Sequence, residues 1–377
     1  MLSLQNNGYK VHLLCSNKGK DLVYESWNGS TIHRLLKPGK SNFINSTLQL
    51  PVFLNLLWLI RSISLINKYD IKVVHVHDLP LTPIALYLKY FQKVKIIYDM
   101  HENYPAALRV WKKTGLEYWL KHPEVFKYIE QVIIPRFDRL IAVVDENRHR
   151  ILGEYNVPEE KIYVVSNYVN LNTFVADTPY PDVLFPVDVK VFLYTGGLDV
   201  HRGIDITIEA FQKLSKNHDD ILLLVVGGGK SAAGKRTELE LRSLVDADPL
   251  FSEKVIITGW IDIKYIPWLI KQSDFCLLPQ GANDHTNTTI PHKIFQYMSF
   301  GKPVIAADAT PVKRFLAESG GGVTFISDDS ENYHEVLEMV LNMDYAKMSY
   351  FAREKTKESY TWAIAERELL ALYASLH

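Results

Sequence analysis

The stretch Val189-Lys190-Val191-Phe192-Leu193-Tyr194-Thr195-Gly196-Gly197-Leu198-Asp199-Val200-His201-Arg202-Gly203 sets the fold class. Residues 189–194 form a short β-branched and apolar run of the kind that fills a buried strand. The glycines that follow mark a tight turn, and a helical pattern runs over 204–214. Strand, glycine turn and helix in that order open a βαβ unit and therefore predict a parallel sheet. Glycines in such a turn let a backbone approach a ligand closely, and Arg202 beside a helix N-terminus offers positive charge to a phosphate. A glycine turn is also often only a turn, so both readings stand at this point.

The same alternation extends in both directions. Downstream, strands are predicted at 221–226, 255–258, 275–278, 304–307 and 322–325, which together with 189–194 complete a doubly wound unit. Upstream they are predicted at 10–14, 72–76, 94–98, 140–144 and 162–165. The polar, proline-bearing stretch 177–182 reads as the connection between two domains. The expected organisation is α/β throughout: a first Rossmann-like domain over 1–175, a second over 176–355, and a terminal helix over 356–377 that crosses back to the first.

The first domain opens irregularly. Residues 1–9 read as the last turn of a helix closed by Gly8, feeding the strand at 10–14, with no strand before that helix. The first strand of a doubly wound sheet is central, so its omission leaves a hole in the ladder. The expectation is a natural chain that starts upstream of Met1; the alternative is a rearranged sheet.

Composition narrows the function classes. The 377 residues suit two α/β cores, and 42 Lys plus Arg against 43 Asp plus Glu give no overall field to recruit nucleic acid. Cys15 and Cys276 each lie in an apolar run, the pattern of buried, reduced thiols in a cytoplasmic protein. The apolar stretch 50–60 is interrupted by Asn55 and followed by Arg61, about half the length needed to span a bilayer.

Val226-Gly227-Gly228-Gly229-Lys230 and Thr258-Gly259-Trp260 end two further strands, so three glycine features meet at the carboxyl edge where open α/β sheets bind ligands. Trp260 reads equally as a wall for a base or as core. The segment from Asp284 to Ile305 then gives a polar loop, Thr286-Asn287-Thr288-Thr289, a helix with Pro291 in its first turn and Lys293 one turn in, a stop at Gly301, and a buried strand. The loop's hydroxyls and backbone N–H groups are expected to aim at one spot.

Those pieces make the sequence resemble the family-four retaining glycosyltransferases with the GT-B fold. The matching positions are the loop from Tyr194 to Gly203, Val226 to Gly228, Thr258 to Trp260, Ser273-Asp274 with Leu278-Pro279, and Pro291-His292-Lys293 through Pro303-Val304-Ile305. Tyr98-Asp99-Met100-His101-Glu102, Val165-Ser166-Asn167 and Tyr360-Thr361-Trp362 extend the match over nearly the whole chain. The resemblance implies two Rossmann-like domains facing a cleft. It also implies retaining transfer from a UDP- or GDP-linked sugar to a glycan or lipid-linked glycan, with no cofactor and no metal, in bacterial capsule, O-antigen (lipopolysaccharide) or exopolysaccharide synthesis. By that resemblance Arg202 and Lys293 hold the diphosphate and His101 faces the transferred sugar. Gly196, Gly197, Gly228, Gly259, Trp260, Thr288, Thr289, Ile290, Pro291 and Gln296 line the donor. The family's paired glutamates fall at Thr288 and Gln296, so both carboxylates are absent; Gln296 keeps a donor and an acceptor for a ribose hydroxyl, and either Asp284 or a different sugar contact is expected to substitute for Thr288. Gly197 stands where many members carry arginine.

In the first half, His75-Val76-His77-Asp78 and His101-Glu102 end neighbouring strands. A zinc site lacks a familiar cysteine or glutamate spacing here, and His77, Asp78, His101 and Glu102 read instead as the acceptor side. Aromatics and lysines over 111–121, with the apolar helix over 48–66, fit either ordinary packing or peripheral contact with the inner face of a membrane. The rival functions are a glycosyltransferase-like binding subunit without turnover, motivated by the missing carboxylates, and a nucleotide-sugar epimerase.

Overall fold

The computed structural model describes residues 1–17, 22–35, 55–111, 122–183, 185–229 and 231–376. Lys230, the start of the 48–66 helix and nearly all of 111–121 lie outside the described residues. The chain divides into two compact units, Met1–Val165 with Glu366–His377, and Ser166–Ala365. The division falls ten residues before the expected 175 because 166–175 is held by the second unit. Val169 forms a bridge with Thr361, and Tyr168 packs edge-on against Phe295 at 4.8 Å and Phe315 at 6.5 Å.

The first unit contains α1 (Leu2–Asn6), β1 (His12–Cys15), β2 (Tyr24–Trp27), β3 (Ser30–Arg34), α2 (Leu56–Tyr69), β4 (Val73–His77), α3 (Thr82–Gln92), β5 (Lys95–Met100), α4 (Tyr104–Val110), α5 (Pro123–Ile133), β6 (Arg139–Ala142), α6 (Asp145–Glu154) and β7 (Ile162–Val164). Its described strands fall into two sheets, β1-β3-β2 and the all-parallel β4-β5-β6-β7. Among the described residues no strand pairs with the outer edge of β4 or of β1. The hairpin β2–β3 is absent from the sequence expectation. Its turn is Asn28-Gly29, with φ of 46° and 78°, the left-handed pair that a two-residue hairpin loop requires.

The second unit carries β8 (Lys190–Thr195), α7 (Ile204–Leu214), β9 (Ile221–Val226), α8 (Ala232–Asp246), α9 (Pro249–Ser252), β10 (Val255–Ile257), α10 (Ile266–Gln272), β11 (Phe275–Leu278), α11 (Lys293–Ser299), β12 (Val304–Ala307), α12 (Thr310–Ser319), β13 (Gly322–Phe325), α13 (Ser330–Leu341) and α14 (Tyr345–Ser359). The last helix, α15 (Trp362–Ala374), starts here, and its end counts with the first unit. The sheet order β10-β9-β8-β11-β12-β13 is parallel throughout. All six residues of β9 are buried, as expected for a strand covered on both faces, and each such Leu or Val contributes roughly 1.5–3 kcal/mol. The chain order reverses between β8 and β11, so the carboxyl ends of those two strands flank the crevice at which this topology binds ligands.

Candidate active site

The loops after β8 and β11 bring two cations to that switch point. Beyond β8, Gly196 adopts φ +152° and Gly227, beyond β9, adopts φ +139°, both in the region that favours glycine. The two backbones touch: Gly196 N–H donates to Val226 O at 2.8 Å, and a Cβ on Gly227 would fall on the Gly196 carbonyl oxygen. A Cβ on Gly196 would in turn fall on the ammonium of Lys293. The glycines thus clear a space that Lys293 occupies.

Lys293 begins α11 and reaches back to donate to the Thr195 carbonyl, with its nitrogen 5.6 Å from the centre of the Tyr194 ring. Burial, reinforced by the charge of Arg202, lowers its pKa to about 8. Arg202 is held by its Nη1 donating to Gln280 Oε1 at 3.0 Å, and its buried Nε has no hydrogen-bond partner. Burial and then the charges of Arg202 and His201 push His285 down to about 4, so this imidazole is neutral at physiological pH. Among the described residues neither Arg202 nor Lys293 meets a carboxylate. Two adjoining, partly desolvated cations, neither held in a salt bridge, can attract an anion, with the Asp199 carboxylate as the nearest acidic group of the same loop.

The polar loop differs from expectation. Thr288 Oγ1 donates to Asp284 O at 3.0 Å and His285 O at 3.1 Å, and Thr289 Oγ1 donates to His285 O at 3.0 Å. Thr286 likewise donates to Gly281 O at 2.9 Å. These hydroxyl protons close the loop on itself, because Ser and Thr side chains compete for nearby carbonyls in short turns. The helix starts at Lys293, leaving Pro291 just before its first turn. Ile290 is buried and anchors the loop, Gln296 is half-buried on α11, and Asp284 is exposed.

Trp260 is 50% exposed, which removes the core reading, and a Cβ on Gly228 would lie 3.0 Å from its Cδ1. Gly227 bridges Gly259, so the ends of β9 and β10 bring this indole over the glycine turn. Glu238 adds an acceptor not foreseen from sequence: its Oε2 takes the Gly229 N–H at 2.9 Å while Oε1 pairs with Arg242 at 2.9 Å. Gln280 was also missed, and the only signal for it was its place two residues past β11.

In the first unit the structure brings His75, His77, Asp99 and His101 together. Asp99 Oδ2 lies 3.1 Å from His75 Nε2, 3.3 Å from His77 Nδ1 and 3.5 Å from His101 Nε2. Burial alone would raise Asp99, but the hydrogen bonds from His75 and His77 and the charge of His101 hold it well below the usual carboxylate range. Asp78 sits beside them at φ 61°, with its N–H on Asp99 O at 3.2 Å, and Glu102 is half-buried. Asp99, the centre of this group, was not among the expected site residues. Parallel register places it opposite His77, a relationship invisible in linear spacing.

Residues 2–173 match the family model described as Glycosyltransferase Family 4, and residues 180–357 the model described as Glycosyl transferases group 1. An uncharacterized glycosyltransferase of Methanocaldococcus jannaschii is 20% identical over 98% of this chain and 90% of its own length. The mannosylfructose-phosphate synthase of Agrobacterium fabrum is 23% identical over 72% of this chain, which spans 63% of that relative. Among solved structures, sucrose-phosphate synthase from Thermosynechococcus elongatus superposes with a TM-score of 0.79 at 17% identity, covering 99% of this chain and 90% of that one. Anabaena HepE in complex with UDP and glucose gives 0.69 at 13% identity, covering 91% and 86%.

Proposed function

We propose that this chain, which belongs to the GT-B glycosyltransferases, transfers a sugar with retention from a UDP- or GDP-linked donor to a glycan or lipid-linked glycan in cell-surface polysaccharide synthesis. The observation that carries the reading is the pair of cations, Arg202 and Lys293, neither held in a salt bridge, at the β8/β11 switch point. When the bond between the sugar and the diphosphate breaks, the electron pair leaves with the diphosphate. Cations already aimed at that oxygen stabilise the developing charge without reorganising, the most productive form of electrostatic catalysis. In this reading Arg202 and Lys293 take the part a metal ion plays elsewhere, and donor transfer needs no cofactor.

Trp260 walls the base, Gly196, Gly197, Gly228 and Gly259 admit the nucleotide backbone, and Gln296 meets a ribose hydroxyl. Thr288 and Thr289 act by shaping the loop ahead of Ile290 and Pro291, since their protons are already donated. His101, with His77, Asp78 and Glu102, receives the acceptor side. No described helix is long and apolar enough to cross a membrane. In this reading a lipid-linked acceptor is met at the cytoplasmic surface of the membrane.

The test is calorimetric binding of UDP and GDP, followed by release of nucleotide diphosphate from UDP- and GDP-sugars with a glycan acceptor. Arg202→Ala and Lys293→Ala should each weaken nucleotide binding by roughly 1–3 kcal/mol, as loss of a charge-assisted contact does. Unchanged affinity in both variants would remove the site from these residues. Nucleotide binding without any diphosphate release would instead favour a binding subunit.

A further inference from the structure

We propose that His75, His77 and Asp99, with His101 as a fourth donor, form a binding site for a divalent transition-metal ion of the zinc class. The backbone alone assembles it. His75 and His77 are two residues apart on β4, Asp99 stands opposite His77 in the parallel register, and His101 follows Asp99 by two. A strand's period of two turns these positions toward one face of the sheet.

The ligand atoms of His75, His77 and Asp99 all lie within 4.8 Å of one another. Asp99 Oδ2 is 3.1 Å from His75 Nε2 and 3.3 Å from His77 Nδ1, while His77 Nδ1 is 2.9 Å from His101 Nε2. Donor atoms at zinc-bond lengths around a tetrahedral centre stand about 3.3 Å apart, so the pairs made by Asp99 and the His77–His101 pair are close to that spacing, and His75 and His77, within 4.8 Å, need only a small approach. Protons account for the group less well. The facing nitrogens of His77 and His101 can share only one hydrogen, and three imidazole nitrogens crowd a single carboxylate oxygen. One cation at the centre engages Asp99 Oδ2 and one ring nitrogen of each histidine at once.

Two further observations point the same way. His75 Nδ1 is 3.0 Å from the Tyr373 hydroxyl, the outer contact that fixes a metal-bound imidazole with its other nitrogen facing the ion. Asp99 Oδ1 is buried without a hydrogen-bond partner, so this carboxylate has an unmet capacity for a second contact. Imidazole nitrogens with one carboxylate suit zinc, cobalt, nickel or copper and not magnesium or calcium. The site uses none of the residues assigned to the donor diphosphate and does not depend on that assignment; it does share His77 and His101 with the acceptor side, so an ion here would stand on that side and those two imidazoles would meet the acceptor through it.

The experiment is titration of the full, tag-free chain with Co²⁺, read by the visible absorption of four-coordinate cobalt and by displacement with Zn²⁺. One ion per chain is expected. His75→Ala and Asp99→Asn should each weaken binding at least tenfold, and Tyr373→Phe, which removes only the outer contact, by about tenfold. Circular dichroism without metal checks folding. If the buried Asp99 variant unfolds, the solvent-facing His77→Gln carries the test, with the same tenfold loss expected. Absence of bound cobalt in the natural sequence, or affinity in His75→Ala and His77→Gln unchanged from that of the natural chain, overturns the proposal.

Discussion

Arg202 Nη1 donates to Gln280 Oε1 at 3.0 Å, and this bond ties the loop after β8 to the loop after β11 across the point where the strand order reverses. Gln280 carries no charge, so it orients the guanidinium without neutralising it. Gln280→Leu should leave the fold intact and weaken nucleotide affinity by about 0.5–1.5 kcal/mol, the value of one neutral hydrogen bond to a positioned group. Isothermal titration with UDP and GDP measures it. A loss as large as that of Arg202→Ala would mean that Gln280 itself touches the ligand.

Lys293 gives a pH signature of known sign. Its pKa in the free chain is lowered from 10.5 to about 8, so the ammonium is lost as pH rises through that value. A bound diphosphate restores the proton, and nucleotide affinity should therefore be constant below about pH 7 and fall up to tenfold per pH unit above 8. The ligand-free chain should have the opposite slope: the unfolded state holds more protons between pH 8 and 10.5, so its stability should rise there. Lys293→Arg keeps its charge over this range and should flatten the binding profile. An unchanged profile in that variant would assign the titration to another group.

Much of the second unit is legible in its sequence. Strands at 221–226, 275–278, 304–307 and 322–325 match their predicted ends because runs such as Ile221-Leu222-Leu223-Leu224-Val225-Val226 are buried on both faces and bounded by turn residues. The β2–β3 hairpin was missed although Asn28-Gly29 is a strong local turn signal, since its strands are only four and five residues long. Arg202 stands out in the sequence beside a glycine turn and Lys293 at the start of a helix behind Pro291, both of them local patterns. Asp99 and Gln280 do not, because each matters through strand register or a loop-to-loop contact. The threonine loop was misjudged for a different reason: hydroxyl content does not reveal whether the protons are already donated to Gly281, Asp284 and His285.

Gly196 and Lys293 should be coupled in stability. Gly196→Ala places a methyl group on the Lys293 ammonium and also forces φ +152° on a residue with a side chain. Gly196→Ala combined with Lys293→Ala removes the collision and leaves the backbone strain, so the double variant should be more stable than the two single losses add to, by about 0.5–3 kcal/mol in a double-mutant cycle. Gly227→Ala meets the Gly196 carbonyl instead, and no second side-chain replacement should relieve it. Additive thermal losses for Gly196 and Lys293 would mean that strain alone sets the cost.

Trp260 separates recognition of the base from recognition of the diphosphate. Its indole is half exposed just beyond β10 and lies against Gly228, whereas the cations contact Thr195 and Gln280. An aromatic face stacked on a base contributes about 1–3 kcal/mol, whereas a diphosphate alone gains nothing from it. Trp260→Ala should therefore weaken UDP or GDP binding about 5- to 150-fold and leave inorganic pyrophosphate binding within a factor of two. Arg202→Ala should weaken both ligands alike. Measuring the two ligands on the two variants gives a four-way comparison, and parallel losses of pyrophosphate and nucleotide in Trp260→Ala would place the indole against the phosphates and not the base.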